Sequence, residues 1–211
     1  MQLTPTRGAG PAGFTLPELL IALGLGMTLL ASVSAFGSFQ LSETEAQLRQ
    51  NRLEMNVRNV IDLFVREVRL AGANPTCAPG ISAIADAKQQ SLQIVSDLDG
   101  DGTVTGPGET VTYQYKFLSG RFERVGDNGT DALLDGLVLT GSRLRYFDLA
   151  GNEVTAGSTG LSGGQRDSVR RIRLEVVASA PSAIGGQAAH VALATDVEVR
   201  NRYFGNAIGC P

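Results

Sequence analysis

The sequence predicts an α+β protein: one long N-terminal helix, half membrane-spanning and half amphipathic, packed on an antiparallel β-sheet domain. Three observations predict the elements. Leu19 to Ser42 contains no Asp, Glu, Lys or Arg, and an uncharged run of roughly 20 residues is what crosses a bilayer as a helix. Beyond Ser42 the composition turns polar while apolar residues keep a helical spacing. From Ser91 onward the pattern changes to alternation broken by glycine-marked turns, which is how antiparallel strands read. One helix followed by a run of strands is the α+β order, with the helix laid across one face of a meandering sheet.

The totals exclude some functions. A net charge of −3 over 211 residues gives no electrostatic reason to expect nucleic acid as a partner. His190 is the only histidine and there is no tryptophan, which narrows the choice of metal sites and of acid–base groups. No G-x-S-x-G, H-E-x-x-H, P-loop or Cys-x-x-Cys motif occurs. The expectation is a protein that is not an enzyme and requires no cofactor. Cys77 and Cys210 are the two cysteines. An even, low number suits one bridge in an oxidising compartment, with two buried thiols as the other reading.

The first helix opens on an unusual set of residues. Gly13-Phe14-Thr15-Leu16-Pro17-Glu18 places a proline and a carboxylate at the mouth of the apolar run. Three readings compete. Val33-Ser34-Ala35 offers a small-x-small site for cleavage of a secretory signal before Phe36, but the apolar run is long for such a signal and Glu18 nearly cancels Arg7. A plain signal anchor explains the length, though not Gly13, Pro17 or Glu18. A short leader cut after Gly13 explains all three. The first four N–H groups of a helix lack intrahelical acceptors, so Pro17 gives up no hydrogen bond there. Before the cut, its ring would clash with the carbonyl of Gly13 and keep the Gly13–Phe14 bond extended. Thr15 and Glu18 also form a T-x-x-E capping box, and the helix dipole favours an acid there. A charge at membrane depth still costs about 2.5–3.5 kcal/mol on insertion scales, which calls for a partner. The new ammonium of Phe14, its own or a neighbour's, is the obvious one.

GFTLPELLIAL resembles the class III signal of type IV prepilins and pseudopilins. The resemblance implies a leader at 1–13, cleavage between Gly13 and Phe14 by a membrane prepilin peptidase, and N-methylation of Phe14. It also implies pairing of Glu18 with the terminal amine of an adjacent subunit during assembly. Pro17 departs from the family's usual aliphatic residue, and Arg7 is the only basic residue of the leader. The implied location is the bacterial inner membrane, single-pass, with the C-terminal domain outside the cytoplasm, and then a pilus or pseudopilus. The implied partners are other minor and major pilins, the inner-membrane assembly platform and, before assembly, membrane lipid.

The long helix is expected over 14–72, its transmembrane part at about 19–42, with a β-rich domain over 73–211. Val57, Ile61, Phe64 and Val68 form an apolar stripe, with Val60 and Val65 beside them. The stripe is too short for a free coiled coil and is expected to dock on a sheet. Gly72 and Asn74-Pro75 stop the helix. Gly24, Gly26 and Gly37 weaken the span by about 0.8–1 kcal/mol each relative to alanine. They read equally as close-packing positions or as a bendable segment.

Strands are expected in SLQIVSD, TVTYQYKF, RFERVG, LRYFDL, RRIRLEVVAS and ALATDVEVRNR, with a hairpin cue at Ala150-Gly151-Asn152. Thr155 to Gly164 and Ala180 to Ala189 read as loops. The close FVREVRLAGAN, the return strand Gly120 to Arg124 and the ending VEVRN, Val197 to Asn201, resemble PilW-type minor pilins. The J-type pseudopilins of type II secretion share much of this layout.

Asp97-Leu98-Asp99-Gly100-Asp101-Gly102 matches the start of a D-x-D-x-D-G calcium loop. A hard cation takes six to eight oxygens, some from carboxylates. The expected ligands are Asp97, Asp99, Asp101, the carbonyl of Thr103 and Glu109. Glu109 lies one residue beyond the place of the usual bidentate acid, held here by Gly108. A solvated Asp-Gly turn is the competing reading. His190 is expected at the surface or a strand edge rather than in catalysis.

Overall fold

The computed structural model describes residues 13–157, 159–180 and 188–203. The chain divides into two compact units, one ending at Gln47 and one beginning at Leu48. The helix α1, Leu16–Leu70, contributes to both and is 55 residues long, about 80 Å at 1.5 Å per residue.

In the first unit every large apolar side chain of α1 is exposed, from Leu19 to Leu41. An 18-residue window there has mean hydropathy 2.1, so this helix is long and apolar enough to cross a membrane. Five of its hydroxyls are turned inward. Thr28, Ser32, Ser38, Ser42 and Thr44 each donate to a backbone carbonyl three or four residues earlier. Polar groups satisfied within the helix are what an apolar solvent demands.

In the second unit α1 buries Leu53, Val57, Val60, Phe64 and Val68, with Ile61 and Val65 half-buried beside them. The predicted stripe is the face that docks on the β domain. Strands β1 (Ile84–Ala87), β2 (Ser91–Val95), β3 (Thr110–Lys116), β4 (Arg121–Gly126) and β5 (Gly129–Leu134) form one sheet in that order. Strands β6 (Arg143–Phe147), β7 (Arg171–Ser179) and β8 (His190–Glu198) form a second. All neighbours are antiparallel. Strand β7 alternates buried and half-buried residues along its whole length, so one face joins the core and the other carries its arginines.

The α+β class therefore stands, with one correction: the strands make two sheets, not a single meander. Two strands were also unforeseen. Ile-Ala-Asp-Ala of β1 lacks β-branched density, and β5 is exposed over most of its length, so neither shows alternation. The stretch read as loop through Gly164 leads into α2, Gly163–Ser168, started by a reciprocal Ser162–Gln165 capping box. The last strand ends at Glu198, and α3, Arg200–Tyr203, replaces its expected continuation. At Ala150-Gly151-Asn152 the chain does turn, closed by the Asn152 N–H donating to Asp148. The second arm is only the isolated bridge of Glu153 to Phe147.

Helix α1 stops as Gly72 takes φ +76°, a left-handed conformation that suits glycine. A Cβ on Gly72 would also lie 2.8 Å from the Ala83 methyl. Its N–H donates to the Val95 carbonyl at the end of β2, so the helix stop and the first sheet are joined at one residue.

Candidate functional site

Gly13, Phe14 and Thr15 precede the first helical residue, Leu16, so the Gly13–Phe14 bond lies outside regular helix. Phe14 is 84% exposed. Pro17 is the second helical residue, where its missing N–H leaves no carbonyl unserved. The Glu18 carboxylate receives the Thr15 N–H at 3.4 Å and the Thr15 hydroxyl at 3.3 Å. Both contacts are long for hydrogen bonds, and Glu18 makes no ion pair among the described residues. A carboxylate so loosely held at the start of an apolar helix is available to a stronger cationic partner.

Three polar ties fasten α1 to the β domain. The first is Glu67, whose carboxylate takes the Arg124 guanidinium at 2.9–3.1 Å and the Tyr113 hydroxyl at 2.5 Å. Phe64, one turn earlier, packs edge-on against the Tyr113 ring with centroids 5.0 Å apart. Burial, reinforced by the Glu67 hydrogen bond, pushes the Tyr113 phenol far above its ordinary range. The second is Gln50, whose side-chain amide donates to the His190 carbonyl at 2.8 Å and accepts its N–H at 3.0 Å. The His190 ring meets the Ser179 hydroxyl at 2.8 Å. His190 is thus a strand-edge residue, as its sequence position suggests. The third is Asn201, which donates to the carbonyls of Leu70 and Ala71 at 3.2 and 3.0 Å and caps the helix end. Arg124 and Asn201 were visible only as parts of weak distal motifs. Their roles depend on which strand the fold brings beside α1, and spacing along the chain does not contain that.

The acidic loop brings three of the expected residues together. One oxygen each of Asp97, Asp99 and Glu109 lie within 4.8 Å of one another, and Asp97 and Glu109 are each only 1% exposed. Backbone amides point into the group. Asp97 accepts from Gly100 and Gly102, and Glu109 accepts from Leu98, Asp99 and Gly106. Thr76, beside Cys77, adds a hydroxyl to Asp97 at 3.0 Å. Among the described residues no Lys or Arg pairs with these three acids. Asp101 stands outside the group. Its carboxylate accepts the N–H and hydroxyl of Thr103 at 2.7 and 2.8 Å. Glu109, offset by one in the motif, is nevertheless the acid that converges, because it begins the return into β3 directly opposite Ser96. Three convergent carboxylate oxygens form a donor set of the kind a hard divalent cation uses.

Cys77 is not a free thiol, and its expected partner Cys210 lies outside the described residues. Compared with known proteins, the chain matches no family model, no curated protein and no solved structure.

Proposed function

We propose that this chain is a minor type IV pilin of PilW type: a structural subunit stored in the membrane, cut between Gly13 and Phe14, and carried into a fibre by α1. The single observation that supports it most is the composition of α1 itself. One continuous helix begins with the Gly13-Phe14…Glu18 signature, stays fully exposed and apolar through its first half, and buries an apolar stripe in a β domain through its second. A helix of that kind, left uncovered among the described residues, takes its apolar surrounding first from lipid and then from other subunits. Glu18, held only by long contacts to Thr15, supplies the group that pairs with a methylated Phe14 ammonium. The role is assembly, not catalysis.

N-terminal mass spectrometry of the mature protein tests the proposal. A chain beginning at N-methyl-Phe14 is expected. One beginning at Phe36 would identify an exported soluble protein instead and end the pilin reading. The J-type pseudopilin of type II secretion shares the same processing. A deletion strain scored for surface fibres against exported enzymes separates it, with loss of fibres expected here.

The acidic loop supports one addition, a structural Ca²⁺ on Asp97, Asp99 and Glu109, favoured by two buried acids converging with a third and no side-chain cation beside them. Thermal unfolding of the full chain is expected to shift upward with CaCl₂ and not with equal MgCl₂. The shift should vanish in Asp99→Asn, whose side chain is the exposed one of the three.

A further inference from the structure

The turn between β3 and β4 carries an apolar tip that the assembly reading does not use. Lys116-Phe117-Leu118-Ser119-Gly120-Arg121 closes through a 3-10 turn, Phe117–Ser119. Leu118 is 108% exposed, so its whole side chain stands in solvent, and Phe117 is 37% exposed. The tip is firmly built. Gly120 adopts φ +63°, and a Cβ there would strike the Leu137 carbonyl at 2.3 Å. The Leu137 N–H donates to the Gly120 carbonyl, and the Phe117 ring stacks on Tyr115 at 5.7 Å. Val138, 56% exposed, follows directly and extends the apolar patch. Lys116 and Arg121 flank the tip, and Arg121 is paired to the exposed Asp135.

The place of this tip in the second unit follows from a chain of contacts. Leu137 holds Gly120, Val138 bridges Ser179, Ser179 meets His190, and His190 holds Gln50. The tip is therefore at the end of the domain where α1 enters, near Leu48. The opposite end is marked by Asn201 on Leu70 and Ala71. Along the sequence, the uncharged run closes at Ser42, shortly before that entry point.

We propose that Phe117, Leu118 and Val138 dip into the surface of an anionic bilayer, with Lys116 and Arg121 on the phosphate headgroups, while the subunit waits in the membrane. Aromatic and aliphatic residues flanked by cations are what the interface accepts: the rings and branched chains enter the acyl boundary and the cations remain at the phosphates. The occupant is lipid because the chain carries its own candidate membrane span and because the flanking charges complement anionic headgroups. The proposal rests on the reading of Leu19–Ser42 as that span.

The absence of tryptophan makes the test direct. The full chain is prepared as three single-tryptophan variants, Leu30→Trp in the span, Leu118→Trp at the tip and Leu149→Trp as an exposed site beyond β6. Each is reconstituted into vesicles of phosphatidylcholine with a minority of phosphatidylglycerol, the phosphatidylcholine brominated or not. Bromine quenching of Leu30→Trp and about a twofold loss of Leu118→Trp emission are expected, with Leu149→Trp unchanged. In Lys116→Ser/Leu118→Trp, quenching should weaken and depend less on phosphatidylglycerol content. Quenching of Leu30→Trp without Leu118→Trp overturns the interfacial tip and leaves the span intact. Leu30→Trp left unquenched removes the span and the tip proposal with it. If Leu118→Trp is shielded only when partner pilins are added, the patch belongs to a protein neighbour and the lipid proposal is overturned.

Discussion

The two halves of α1 share a backbone and a helical period but not a design. Before Leu48 the large apolar side chains are exposed on every side, and hydroxyls fold back onto carbonyls. After it, a single stripe of Leu53, Val57, Val60, Phe64 and Val68 is buried while arginines and acids take the other faces. The difference lies in what each half needs around it. A stripe needs one apolar neighbour, which the sheets provide. A helix apolar all round needs apolar surroundings on all sides, and among the described residues its large apolar side chains stay exposed.

The comparison fails most completely if the first half is only an anchor. On the proposed pilin reading, Glu18→Ala is expected to abolish incorporation into sheared, immunoblotted fibres while the membrane pool and the unfolding of the β domain stay as in the parent. Fibres formed normally by Glu18→Ala would break the link between the exposed half and assembly. In the second half the loss is one of stability. Phe64→Ala removes a fully buried ring and its edge contact with Tyr113, and should cost about 3–5 kcal/mol in denaturant unfolding of the full chain in detergent. Arg124→Ala leaves the Glu67 carboxylate half-buried without its cation. A cost of about 1.5–3 kcal/mol is expected, and a double-mutant cycle with Glu67→Gln should recover much of it if the pair acts as one unit. Asn201→Ala removes only the cap on Leu70 and Ala71, at about 1 kcal/mol. At the bottom of the scale, Leu23→Ala should leave β-domain unfolding within about 0.5 kcal/mol, since that side chain is exposed among the described residues.

A pH series sharpens the same contrast. Burial raises the Tyr113, Tyr115 and Tyr146 phenols above their ordinary value. The stability they contribute is therefore complete below about pH 10 and is lost as pH rises above it. At the acid end, the Arg173 hydrogen bonds hold the Asp196 carboxyl below its usual range. That smaller contribution is present at neutral pH and fades as pH falls through the carboxylate range. Both effects should appear in unfolding of the β domain, whereas the helical signal of the first half stays level at either end.

Legibility followed the locality of the cause. The apolar run, the Val57–Val68 stripe, the Gly72 stop and six of the strands depend on neighbours a few residues away, and all could be read directly. The split into two sheets could not, because β5 and β6 differ in partner and not in pattern. The Glu67–Arg124 and Asn201–Ala71 ties join residues far apart in the chain, so their chemistry was visible but their pairing was not. In the acidic loop the residue types were readable while the geometry was not. Glu109 joins Asp97 and Asp99 because of how the chain returns into β3, and Asp101 turns toward Thr103.

The inward-facing hydroxyls of Thr28, Ser32, Ser38, Ser42 and Thr44 have a consequence for the proposed passage from membrane to fibre. Hydroxyls already answered by the helix's own carbonyls let acyl chains be exchanged for protein side chains without breaking those contacts, so for these five residues the exchange is close to neutral in free energy. Direction has to come from elsewhere along the helix, and its first turns carry one acidic residue, Glu18, to set it.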